Sequence, residues 1–369
     1  MFIDLNNYNF YMKYTGFILA AFFCFLMMNS KLTAQKKYYF YTGKEYGSES
    51  LLNPLTVIIN GGFDITQLQS VSNRLGDHLY GRMFHNVLLN LGDPFPRIKY
   101  YGTSKFIKEL FPTAMSKETA PWIPNYQLHL MGCGMLSTAV REWYDLHNFP
   151  YPWLMSATTL MTMHLLNETM ETGPYEGYSV DEIADIYLFD LGGIILFSFD
   201  GINEFFSEKL NLSDWSLQAS VSSPSYRINA GQFFSIKWKL PFSEDYSFFN
   251  RFGMGALFGL SKKLENMDNF SVGIGFRTKH LVDLNPELRE RTIETSWQAG
   301  AFWDRKNSLL GSIIFCGIKE YFCSIDVYPG VLKYGTFSPG VWSIIGSNGN
   351  LTMGISTKYF LGIGAANYH

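Results

Sequence analysis

His129, Arg141, His164, Asn167, Glu168, Glu171, Asp181, Asp185 and Asp190 are set into otherwise apolar helical stretches. Ionisable groups in such surroundings are costly against lipid and turn toward a protein interior, where they pair, bind or react. His164, Glu168 and Glu171 stand at i, i+4 and i+7 and share one helix face; Asp181 and Asp185, four apart, share a face of the next. The Gly173-Pro174 turn folds these helices back antiparallel, and Gly192-Gly193 permits close backbone approach.

Three chemistries fit this constellation. An ion-paired network, with Arg141 against Glu168 or Asp185, would fix how the helices pack. A metal site would use His164, Glu168, Glu171 and Asp185, although di-metal bundles take Glu-x-x-His from paired helices and that order is missing. An enzyme of lipids or cell-wall precursors would use His129 or His164 as base and a carboxylate as its partner. The network is the expectation carried forward, with no reaction and no cofactor assigned. No Gly-x-Ser-x-Gly, His-Glu-x-x-His, phosphate-binding glycine loop or Cys-x-x-Cys occurs. His78 and His85, seven apart on an amphipathic stretch, read as surface residues.

Three apolar helices must position the cluster: about Gln127 to Tyr144, Trp153 to Glu171 and Val180 to Phe199, within a unit over 121–205. Each approaches the length of a membrane crossing, but the internal charges favour packing against protein. Ahead of them, residues 35–120 hold a β-like run, Leu55 to Asn60 closed by Gly61-Gly62, and amphipathic helices over Val71 to Leu91 and Ser104 to Met115. From Trp215 onward the period becomes two. Strands are expected over Trp215–Ser222, Gln232–Leu240, Phe252–Gly259, Val272–Phe276, Thr292–Trp303, Leu309–Ile318, Phe322–Tyr328, Gly340–Gly346 and Leu351–Gly362. Bulky apolar residues alternating with glycine, Trp and Tyr near strand ends and little internal charge make 213–369 an antiparallel meander that closes into a membrane β-barrel. The fold class is therefore α+β, a helical unit followed by that meander. Lys319-Glu320, read as a two-residue turn, would oppose Cys316 and Cys323 for a disulfide.

The polar pattern resembles the VanZ-like and YfiM-like group of envelope proteins and a related uncharacterised domain fused to outer-membrane barrels. The matching pieces are His129, Glu168-Thr169-Met170-Glu171, Ser179-Val180-Asp181, Asp185 and Gly192, within 127–199. The chain departs from that pattern twice: Asn125-Tyr126-Gln127 replaces an Asp-Lys ahead of the His, and Phe189 occupies a usually polar place, with Asp190 one position late. The resemblance implies an envelope location and a helical core, not a reaction.

Met12-Lys13, the apolar run Phe17 to Met28 and Leu32-Thr33-Ala34 form a signal peptide over 1–34, with Met12 read as the start codon. Aromatic and charged residues each make up 17%, the latter well below the roughly 25% of soluble domains, which suits a surface that meets lipid. A net charge of -3 with no basic run excludes nucleic acid as a partner. The expected protein is an outer-membrane-associated structural or interaction component of a Gram-negative envelope, partnered by membrane lipid and other envelope proteins. A membrane-embedded hydrolase or transferase is the alternative.

Overall fold

In the computed structural model, which describes residues 37–111 and 125–367, the run Leu55 to Asn60 is helical rather than extended. Asn53 Oδ1 accepts the Thr56 N–H and the Thr56 hydroxyl accepts the Asn53 N–H, each at 3.1 Å, and Pro54 sets the first turn of α1 (Pro54–Gly62). This reciprocal cap outweighs the β preference of Val57, Ile58 and Ile59. Gly61 and Gly62 are the close-packing end of that helix: a methyl on either would run into Met163 or Leu166. The proposed leader, residues 1–34, and the far end of the Ser104–Met115 helix lie outside the described residues.

Of the helix expected over Val71 to Leu91, only α2 (Tyr80–Gly92) forms; α3 (Pro94–Tyr101) and α4 (Thr103–Leu110) follow. The three-helix unit is present. Its first member is a π-helical segment, Asn125–Cys133, running directly into α5 (Gly134–Leu146). Its second is the regular α6 (Pro152–Thr172). Its third is split into α7 (Asp181–Ala184), a π-helical segment Asp185–Asp190 and α8 (Leu191–Leu196). Cys133, Leu136, Val140, Leu160, Met163 and Phe197 form the centre of their common core. Among the described residues no helix is long and apolar enough to cross a membrane. A short α9 (Asp200–Glu204) leads to the strands.

Thirteen strands form one sheet: β1 (Ser213–Asp214), β2 (Ser220–Ser223), β3 (Arg227–Asn229), β4 (Phe234–Lys239), β5 (Tyr246–Gly253), β6 (Gly255–Lys263), β7 (Asp268–Asn285), β8 (Glu290–Arg305), β9 (Ser308–Cys316), β10 (Cys323–Val327), β11 (Gly340–Ile345), β12 (Leu351–Thr357) and β13 (Phe360–Asn367). Their spatial order is β1-β4-β5-β6-β7-β8-β9-β10-β11-β12-β13-β2-β3. All pairs are antiparallel except β13 with β2, so the sheet is mixed, and as a ladder of strands it is not closed. The molecule is thus α+β. Two expected strands are in fact hairpins: Phe252–Gly259 reverses at Met254, where Gly253 faces Gly255, and Leu351–Gly362 reverses after Thr357.

Alternation gives the sheet two faces. One holds the core of Trp215, Phe249, Leu257, Phe302, Ile314 and Tyr328, together with a buried Lys237–Asp304 ion pair at 2.6 Å. The other exposes Phe258, Leu260, Phe270, Val272, Ile274 and Phe276, but its β4–β5 portion, Phe234 and Phe252, is covered by the helical unit. At that junction α1 meets the sheet where its strands are interrupted. Asn60 donates to Leu217 O at 2.9 Å and accepts from Gly231 N at 3.2 Å, and Asp64 accepts from Gln232 N at 2.9 Å. Side chains of the helical layer thereby satisfy backbone groups that a neighbouring strand would otherwise take.

Cys316 and Cys323 are free thiols, which corrects the expected disulfide. The chain reverses through Lys319–Tyr321 rather than in two residues, and Cys323 faces Phe315 while Cys316 faces Gln298. This slip of one place sends the sulfurs to opposite faces.

Candidate functional site

The two π-helical segments and α6 build the site. In an α-helix, residues four apart share a face and those five apart diverge by about 140°. Asp185 would then align with Phe189. The wider i→i+5 winding of Asp185–Asp190 aligns it with Asp190 instead, while Phe189 packs with Phe106, Leu110, Val180 and Ala184. The facing segment Asn125–Cys133 supplies Asn125 and His129. Windings of this kind are rare and concentrate at functional sites. Their approach depends on Gly193, where a methyl would overlap Leu130 O and lie 3.0 Å from His129 O.

Asp190 is fully buried and lies between two imidazoles. His129 Nδ1 donates to its Oδ1 at 2.9 Å, and His164 Nδ1 lies 3.0 Å from its Oδ2. The carboxylate thus orients His129 by a hydrogen bond and lies at ion-pair distance from His164, the two ring centroids being 5.3 Å apart, and leaves the His129 Nε2 directed elsewhere. His129 Nε2 is 3.7 Å from Asp185 Oδ2, and Asn125 donates to the same carboxylate's Oδ1. His164 Nε2 and Glu168 Oε1 are buried with no hydrogen-bond partner among the described residues.

The charges reinforce this geometry. Burial would lower the His129 pKa, but Asp185 and Asp190 beside it outweigh burial and hold it up at about 10. Burial would raise Asp190, but His164 and His129 overcome that and keep it ionised. Burial, then the neighbouring Asp185 and Glu171, drive Glu168 well above the ordinary carboxylate range. Asp185 is driven up by burial, only partly offset by His129.

A second layer comes from the long β7–β8 hairpin, whose strands of 18 and 16 residues outrun their neighbours. Its Arg291 binds Glu171 at 2.9 Å and also pairs with Asp181. Arg289 donates to Glu171 O at 2.9 Å and approaches Glu182 at 3.9 Å. Burial would raise Asp181, but Arg291 and Arg289 outweigh it and lower its pKa. Between this hairpin and the helices lies a cavity of about 160 Å³. His129, His164 and Asp185 line one side, and Leu68, Leu281, Leu284 and Leu288 supply an apolar wall.

Of the residues singled out in the sequence, His129, His164, Glu168, Glu171, Asp181 and Asp185 are brought together. Arg141 is not: it is half-buried on α5 and makes no ion pair with Glu168 or Asp185 among the described contacts. Arg289 and Arg291, which do supply the cations, were missed because they lie more than a hundred residues on, in a strand-rich region. Asn125, a departure from the family pattern in sequence, donates to Asp185 in the structure. Asp190 pairs with His129 and His164, Asp185 lies 3.7 Å from His129, and Glu168 brings an oxygen within 4.8 Å of that ring; Glu171, expected among metal ligands, is taken by Arg291. Comparisons of this chain with family models, with curated proteins and with solved structures find no match.

Proposed function

We propose that this chain is an outer-membrane protein in which the sheet wraps into a small barrel, filled by its own side chains, that serves as an anchor for the helical unit at its flank. The observation that carries this reading is the exposed apolar face. Phe258, Leu260, Val272 and Ile274 adjoin one another across β6 and β7, with Trp297, Phe315, Met353, Ile355 and Ile363 on further strands of the same sheet. Soluble monomers rarely leave so extended an apolar surface bare, whereas a lipid-facing barrel requires it.

Closure is supported by the backbone between the short strands. Trp215 N donates to Phe233 O at 2.8 Å and Leu217 N to Gly231 O at 2.9 Å, linking β1 with β2 and β3 with β4 as two interrupted strands of one hairpin. The two ends of the ladder, β1 and β3, then belong to that hairpin, and its β2 takes the parallel pairing with β13. The opposite face, with Trp215, Phe249, Phe302 and Trp342 fully buried, leaves little room for a conduit. Its role is accordingly structural or interactive, with lipid as the immediate partner.

A second reading, a hydrolase or transferase acting on an amphiphilic envelope molecule, is favoured by the cavity. It joins a His–carboxylate wall to a leucine wall, as a polar head and an apolar chain would require. Fractionation of producing cells, and electrophoresis of the purified chain with and without boiling, test the first reading. Recovery with outer membranes and a heat-dependent change in mobility are expected. A monodisperse chain in buffer without detergent would overturn it.

A further inference from the structure

The geometry points to a divalent transition-metal site in which His129 Nε2, Glu168 and Asp185 are the protein ligands and Asp190 is the positioning residue that fixes the imidazole. Ligand atoms of those three residues all lie within 4.8 Å of one another, and all three are buried. The 3.7 Å between His129 Nε2 and Asp185 Oδ2 is too long for a hydrogen bond. It is close to the roughly 3.4 Å that separates two ligands held about 2.1 Å from one tetrahedral ion.

Two independent features support an ion rather than a hydrogen-bonded network. First, Glu168 is 1% exposed, yet its Oε1 has no hydrogen-bond partner among the described residues. An orphan of this kind costs about 1–3 kcal/mol unless something satisfies it. Second, the cations of the site are already engaged. Arg291 takes Glu171 and Asp181, and Arg289 approaches Glu182, whereas among the described residues Glu168 and Asp185 have no guanidinium or ammonium within ion-pair distance and only the His129 ring, 3.7 Å from Asp185, beside them. A divalent ion would take the place of protons at the point where these ligand atoms converge.

The orientation of His129 follows the rule for metal-bound imidazoles, whose second nitrogen donates to a carboxylate. Asp190 plays that part at 2.9 Å. The donor set of one imidazole and two carboxylates, with no thiolate, suits Zn²⁺, Mn²⁺ or Fe²⁺. Cys133 is excluded as a ligand, since its sulfur faces the Asp190 carbonyl at 4.0 Å. Three protein ligands leave coordination positions for water or a bound molecule, and His164, its Nε2 unpartnered, lines the adjoining cavity.

The test uses the full chain purified in detergent, stripped by chelator and returned to chelator-free buffer, then titrated separately with Zn²⁺ and Co²⁺. The expected results are one retained ion per chain by elemental analysis, a Co²⁺ absorption band in the visible, and a higher melting temperature with Zn²⁺. Glu168→Gln and Asp185→Asn should abolish one-to-one binding, and Asp190→Asn should weaken it by about 10–100-fold. A purely structural network makes a different prediction: Glu168→Gln would destabilise equally with and without Zn²⁺. Either that result, equal affinity in the ligand variants, or wild type without a retained ion and without the Co²⁺ band overturns the site. Should the ligand variants fail to fold, the wild-type Co²⁺ spectrum decides alone. Because the titration is independent of membrane location, its failure would leave the proposed anchoring role standing.

Discussion

Asp64 shows how a single buried carboxyl sets the pH response. It sits in the turn after α1, accepting the Gln232 N–H and the Gln67 side-chain amide. Burial pushes its pKa from 3.8 up to about 7, with those hydrogen bonds and the charges of Arg277 and His129 offsetting only part of the shift. A carboxyl whose folded pKa is raised binds its proton more tightly in the folded chain. Its contribution to stability is therefore complete below pH 3.8 and is lost as pH rises to about 7. Asp64→Asn keeps the acceptor oxygen and removes the titration. Melting against pH should show the variant equal to wild type near the bottom of that window and more stable above it, by up to roughly 4 kcal/mol. A constant offset at every pH would contradict the assignment. At this scale the sequence was informative where the helix is regular. His164, Glu168 and Glu171 do project from one face of α6, because 3.6-residue periodicity holds from Pro152 to Thr172. It was uninformative about Arg289 and Arg291, whose part in the site depends on where a hairpin folds.

Among the elements, the junction between the π-helical segments Asn125–Cys133 and Asp185–Asp190 is sensitive to substitution. Gly193→Ala would force its methyl onto Leu130 O, and overpacking of this kind costs about 1–3 kcal/mol. The segments would part and Asp190 would withdraw from His129. Gly192→Ala is the matched control. Its methyl meets only the end of the Leu130 side chain at 3.3 Å, so a change below about 0.5 kcal/mol is expected. Thermal melting of the pair checks both, and equal losses would show that backbone approach is not the cause. Wider winding also explains why Asp190 looked misplaced by one residue: a helical period assumed from spacing cannot register a local change in turn size. The strand expected over Leu55–Asn60 failed for a different reason. Its β-branched residues favour a strand, but Asn53-Pro54 and Thr56 form a helix start that overrides them.

For the molecule as a whole, the exposed sheet face makes the sharpest demand on its surroundings. Ile274 is 73% exposed on β7 between Phe258 and Ala299. Against acyl chains, Ile274→Arg should cost about 2–4 kcal/mol, read as a lower unfolding midpoint in lipid vesicles. Against water the same change would be close to neutral, so a null effect in vesicles would refute the lipid-facing assignment. The change from helical to period-two patterning was legible because glycine and bulky apolar residues alternate in register across β6, β7 and β8. The parallel pairing of β2 with β13 was not legible, since it joins strands that are far apart in the chain. One further consequence concerns the order of events in folding. Gly47 N binds Pro329 O, Ser48 binds Asp214 O, and Glu49 N is held by Ser308 Oγ, so the earliest described segment docks onto some of the latest. A ribosome delivers residues 47–49 hundreds of positions before their partners at 308 and 329 exist. That stretch must wait for its partners until residues 308 and 329 have been made, so these contacts are of high sequence separation and belong to the late steps of folding.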